Sequence, residues 1–104
     1  MNMNKCTFIG RLTEDAELKE TTKGTPVSNF RIAVNDRRSD DVLYMNVASF
    51  GKQAENLTEY LTKGTLIYVE GRLRLEEYEK DGVQRTALSI VANDIELGPK
   101  RTSE

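Results

Sequence analysis

The run Thr65-Leu-Ile-Tyr-Val-Glu-Gly-Arg-Leu-Arg-Leu-Glu-Glu77 decides how the rest of the chain is read. Successive side chains of a strand point to opposite faces. Ile67, Val69, Leu73 and Leu75 share one parity; Tyr68, Glu70, Arg72, Arg74 and Glu76 take the other, with Tyr78 just beyond. Gly71 interrupts the apolar series where another core side chain belongs. A glycine in mid-strand marks a sharp bend or the close approach of a neighbouring backbone. This strand is therefore predicted to curve strongly.

Working outward, Glu79-Lys-Asp-Gly82 reads as a hairpin turn through Asp-Gly. Residues 84–97 return as a strand containing Leu88, Ile90, Val91, Ile95 and Leu97. Upstream, Ala54, Leu57, Tyr60 and Leu61 recur at helical spacing within residues 52–63. That spacing predicts a helix of about three turns, with Tyr60 in the core and Gly64 at the C-cap. Before it, residues 41–50 alternate, with Leu43, Met45 and Val47 inward and Tyr44, Asn46, Ala48 and Phe50 outward, and Gly51 ends the strand. Residues 27–36 put Phe30, Ile32 and Val34 against Asn29, Arg31, Ala33 and Asn35. A turn cluster at residues 21–26 precedes them. Residues 4–12 place Cys6, Phe8 and Leu12 opposite Lys5, Thr7, Ile9 and Arg11, with Gly10 as a bend or bulge.

The order is strand, strand, strand, helix, strand, strand. Five strands and one helix laid flat would leave much of a face open, whereas a curved sheet closed on itself hides it. The expected architecture is all-β: a five-stranded OB-fold Greek-key barrel with one α-helix between strands three and four. At 104 residues the chain fits a single domain, taken as residues 1–98, with a short polar end at 99–104.

Composition removes several function classes. Cys6 is the only cysteine and histidine is absent, which excludes disulfides, multi-ligand zinc sites and histidine-based triads. Cys6, in an alternating apolar segment, reads as a buried thiol. The acidic residues Glu14, Asp15, Glu76, Glu77 and Glu79 read as solvated surface, with no nucleophile beside a base, and the single glycines form no phosphate cradle. No enzyme activity, cofactor or metal is expected. The first residues are too short of apolar content for a signal peptide, and no run approaches bilayer thickness. A cytoplasmic protein without membrane contact is expected.

Parity does yield a surface. Tyr44, Asn46, Ala48 and Phe50 from strand three, Arg31 from strand two, and Arg72, Arg74 and Tyr78 from strand four share the outward face if the barrel closes as predicted. Rings and guanidinium groups on one curved face suit single-stranded nucleic acid, whose bases stack and whose phosphates need cations. Taken singly, Tyr44 and Tyr78 read equally well as ordinary strand aromatics. A net charge of −2 and a pI near 5.3 lack the basic footprint common among nucleic-acid binders.

Five segments in order carry a resemblance: Asn4-Lys-Cys-Thr-Phe-Ile-Gly-Arg-Leu12, Gly24-Thr-Pro-Val-Ser-Asn-Phe-Arg-Ile-Ala33, Ser49-Phe-Gly-Lys52, Glu59-Tyr-Leu-Thr-Lys-Gly64 and Tyr68-Val-Glu-Gly-Arg-Leu-Arg74. With them the chain resembles the bacterial single-stranded DNA-binding protein family from residue 4 to about residue 97. The resemblance implies an OB-fold that binds single-stranded DNA with little sequence preference, usually as a homotetramer, in replication, recombination and repair. It also implies roles for individual residues. Tyr44, Phe50 and Tyr78 match positions that stack bases, and Arg38 falls near a further stacking position. Lys5, Lys52, Lys63 and Arg74 match positions that are often basic, and Arg31 and Arg72 share the predicted face as phosphate contacts.

Glu76 and Asn46 depart from the family pattern, standing where relatives often carry basic residues, and a modest salt dependence is expected. Soon after Leu97 the sequence ends without the flexible linker and acidic, Phe-terminated tip through which many members recruit partners. Tail-mediated recruitment is not expected. The alternatives are an OB-fold primosome-type accessory factor acting through protein contacts, and an OB module binding oligosaccharide or protein only.

Overall fold

The computed structural model describes residues 1–99. The polar end expected at 99–104 lies, beyond Pro99, outside the described residues. In chain order the elements are β1 (Cys6–Leu12), β2 (Glu17–Glu20), β3 (Pro26–Asn35), β4 (Val42–Phe50), α1 (Lys52–Leu57), a 3₁₀ turn (Thr58–Tyr60), β5 (Leu66–Lys80) and β6 (Val83–Leu97). They form one six-stranded sheet in the order β1-β5-β6-β4-β3-β2. β1 also pairs with β3 through Arg11↔Ala33 and Leu12↔Ile32, which closes the sheet into a barrel. All pairings are antiparallel except β4 with β6, which run parallel over Asn46↔Ser89 to Ala48↔Val91. The predicted OB-type barrel with its helix after the third long strand is the fold observed.

Inward parity fills the barrel. Leu12, Phe30, Ile32, Met45, Val47, Ile67, Val69, Ile90, Ala92 and Ile95 meet Leu61, which caps one end. Burial of such side chains contributes about 1.5–3 kcal/mol each before the entropy of ordering is subtracted. Gly71 sits where β5 bends. The register against β6 shifts between Glu70 and Gly71, and a Cβ at Gly71 would stand 2.1 Å from the Val91 carbonyl oxygen. The Asp81-Gly82 turn has both residues at positive φ, as a two-residue type I′ hairpin requires.

Four expectations need correction. The helix is shorter than predicted, ending at Leu57 and tightening into a 3₁₀ turn. A 3₁₀ turn holds three residues rather than 3.6, so Leu61 rotates inward and Tyr60, expected in the core, is 55% exposed. Gly64, at φ +87°, belongs to the turn before β5 and donates its N–H to the Leu12 carbonyl; it does not cap the helix. Leu43, Leu75 and Leu88, all of core parity, are about half exposed or more. They lie where the β3–β4 and β5–β6 hairpins run past the barrel, so no strand stands across from them. Finally, β2 is an unpredicted sixth strand, exposed throughout and paired to β3 alone.

Candidate functional site

The parallel seam between β4 and β6 builds the outward face. Its register aligns Arg31 with Asn46, Asn46 with Ser89 and Ser89 with Arg74, so four strands contribute to one row of side chains. A second row runs Asn29, Ala48, Val91, Arg72. The short residues Ala48, Ser89 and Val91 are buried in the floor, while Arg31 and Arg72 are exposed and Arg74 half-buried. Predicted residues from three separate strands thus come together.

Parallel pairing has a further effect. Because β4 and β6 run the same way, the β3–β4 and β5–β6 hairpins leave the barrel in the same direction. Tyr44 lies two residues out from the seam along one, and Tyr78, paired with Arg85, farther out along the other. Both rings are exposed, Tyr44 by 51% and Tyr78 by 45%. Arg38 lies in the loop that tips the first hairpin, where its backbone N–H donates to Asp36 Oδ1 at 2.8 Å.

Cations and rings are already coupled. The Arg31 guanidinium lies 4.8 Å from the centroid of the Tyr44 ring, and that of Arg74 lies 5.9 Å from the Phe50 ring. Both separations fall within cation–π range. Phe50, at the end of β4 before Gly51, is half-buried.

The remaining predicted cations lie around this centre. Lys5 precedes β1 on its outward parity and pairs with Glu70 at 3.3 Å. Lys52 opens α1 and pairs with Glu55 at 3.5 Å. Lys63 borders a separate cleft at the barrel end, with Arg11, Tyr60, Leu97 and Pro99. Its backbone N–H donates to Asp15 Oδ1 at 2.8 Å.

Acidic residues read as solvated surface turn out to border the face. A cleft of about 530 Å³ is lined by Glu14, Asp15, Glu17 and Glu76 together with Arg31, Asn46 and Ser89. Glu76 Oε1 accepts hydrogen bonds from Arg74 Nη2 and from Ser89 Oγ, the latter at 3.2 Å. The Arg74–Glu76 spacing is visible in the sequence; the part of Ser89 is not, because it depends on the β5–β6 register.

Among the described residues no group of three or more His, Cys, Asp or Glu side chains is arranged to hold a metal ion, and no helix is long and apolar enough to cross a membrane. Cys6 is half-buried, and burial raises its thiol pKa, with a backbone hydrogen bond involving Gly71 acting in the opposite direction. The thiol therefore lacks the lowered pKa of reactive cysteines.

The sequence model described as "Single-strand binding protein family" matches residues 3–98. The chain is 39% identical to Single-stranded DNA-binding protein 1 of Staphylococcus aureus (strain MSSA476), over 98% of its own length and 70% of the relative's. It is 40% identical to the single-stranded DNA-binding protein of Neisseria meningitidis serogroup A, over 93% of its own length and 60% of the relative's. With that of Fusobacterium nucleatum the identity is 38%, over 97% and 70%.

Proposed function

The chain belongs to the single-strand binding protein family, and from that premise we propose that residues 1–98 are a non-enzymatic domain that binds single-stranded DNA without strong sequence preference. Its roles would be to cover exposed strands in replication, recombination and repair. The observation that carries this reading is the single face on which Tyr44, Phe50, Arg31, Arg72 and Arg74 meet, with Tyr78 and Arg38 on two hairpins that project the same way.

In this reading Tyr44, Phe50 and Tyr78 stack bases, and Arg38 stacks on a base or pairs with phosphate. Arg31, Arg72 and Arg74 hold phosphates at the centre, and Lys5, Lys52 and Lys63 at the periphery. Base edges go unread, since stacking accepts every base. The proposed assembly is a homotetramer, on the strength of the family resemblance, and light scattering gives its mass directly.

The test is anisotropy of labelled oligo-dT. Each base stacked on an aromatic contributes about 1–3 kcal/mol, so Tyr44→Ala, Phe50→Ala and Tyr78→Ala should each weaken binding about fivefold or more. Their thermal unfolding should stay close to that of the parent. Normal binding by all three variants would place the DNA elsewhere. Weak binding by the parent itself would favour an accessory factor that acts through protein contacts.

A further inference from the structure

We propose that Glu76 is a built-in competitor for Arg74, so that a DNA phosphate reaches this guanidinium only by displacing a carboxylate of the protein. This rests on the reading of the face as a single-stranded DNA site.

Arg74 and Glu76 stand two residues apart on β5 and so point to the same side of the sheet. Arg74 Nη2 donates to Glu76 Oε1, and the same oxygen accepts from Ser89 Oγ. Ser89 is buried in the floor and directly paired with Arg74 across the β5–β6 ladder. Its hydroxyl therefore aims the carboxylate at the guanidinium. The other ion pairs among the described residues, Lys5–Glu70, Lys19–Glu17 and Lys52–Glu55, are single contacts of more exposed ammonium groups. The Arg74–Glu76 pair is also solvent-accessible, and surface pairs of this kind contribute little. What sets it apart is the third partner, Ser89.

Carboxylate and phosphate oxygens suit the guanidinium fork in the same way. Arg74 also lies over the Phe50 ring, so it is the cation beside the proposed stacking position. Once a phosphate takes Arg74, Glu76 is left next to a like charge at the edge of a cleft that already holds Glu14, Asp15 and Glu17. Two effects follow. Affinity falls by the cost of breaking the ion pair and leaving the carboxylate facing phosphate. The dependence on salt flattens, because exchanging one anion for another on Arg74 neutralises no additional charge.

The experiment compares the parent, Glu76→Gln, Arg74→Ala and the double variant, with labelled oligo-dT titrated at several salt concentrations. Glu76→Gln keeps the shape and the acceptor for Ser89 while removing the charge. It should tighten binding on the order of two- to fivefold at low salt, and steepen the slope of log affinity against log salt by about 0.7, the value for one phosphate on a single strand. In the Arg74→Ala background the same substitution should lose most of that gain, because the competitor has nothing left to occupy. Unchanged affinity and slope for Glu76→Gln, with the parent binding oligo-dT, would overturn the proposal alone. So would a gain that persists undiminished without Arg74, which would mark general repulsion. A parent that does not bind oligo-dT would overturn the functional reading as well.

Discussion

Tyr60 and Leu61 are neighbours with opposite fates, and the difference comes from the turn that carries them. Helical spacing assigns both to the core stripe, but the helix tightens after Leu57 and only Leu61 turns inward, to 0% exposure. Leu61→Ala should cost about 2–5 kcal/mol, the range for emptying a fully buried aliphatic site. Tyr60→Ser should change stability by no more than about 0.5 kcal/mol. Urea unfolding of the two variants checks the pair, and comparable losses would contradict the observed packing. Leu43 carries the same lesson from a strand: alternation says which side a residue takes, not whether anything stands across from it. Met45 and Val47 have the barrel behind them and are buried; Leu43, on the projecting hairpin, has not. For the outward face, parity was enough to bring Tyr44, Arg31 and Arg74 together. It could not find Ser89, whose hydroxyl matters only once β6 is set against β5.

At the scale of elements, the long strands were legible because both of their signals agree: alternation along the run, and glycine or turn residues at its ends. β2 was not, since Glu17-Leu-Lys-Glu20 is exposed along its length and has no buried side to imprint a period. Its existence depends on β3 offering a free edge. The Gly71 bend was legible as a missing side chain, and the structure supplies the reason: the Val91 carbonyl occupies that space. Gly71→Ala must therefore push β5 and β6 apart at the bulge, with an expected loss of about 1–3 kcal/mol, as for other overpacked sites. Retained stability in denaturant unfolding would show that the bulge can relax. The same displacement would shift Arg72 and Arg74 relative to β4, so oligo-dT binding should weaken along with stability.

For the whole molecule, the element order indicated a closed barrel but not which strands would lie side by side. The acidic cleft was hidden for that reason, because Glu14 and Glu76 are distant in sequence and meet only after closure. Net charge, too, says little about the face: the overall balance is −2, while Arg31, Arg72 and Arg74 stand together within it. Closure also sets an order of events in folding. The β5–β6 ladder runs from Ile67↔Leu97 to a two-residue turn at Lys80↔Val83, so it can zip locally, and isolated hairpins form in roughly 1–10 μs. By contrast, Phe8 must find Val69, and the Leu12 N–H the Thr65 carbonyl, from the far side of three strands and a helix before the ring is sealed. Contacts of such long sequence separation come late in folding. Leu12→Ala should accordingly accelerate unfolding in stopped-flow measurements while leaving the refolding rate nearly unchanged, whereas Ile90→Ala, within the early hairpin, should slow refolding. The seam that completes the barrel would then also be the first to part, making β1 the latch of this protein's kinetic lifetime.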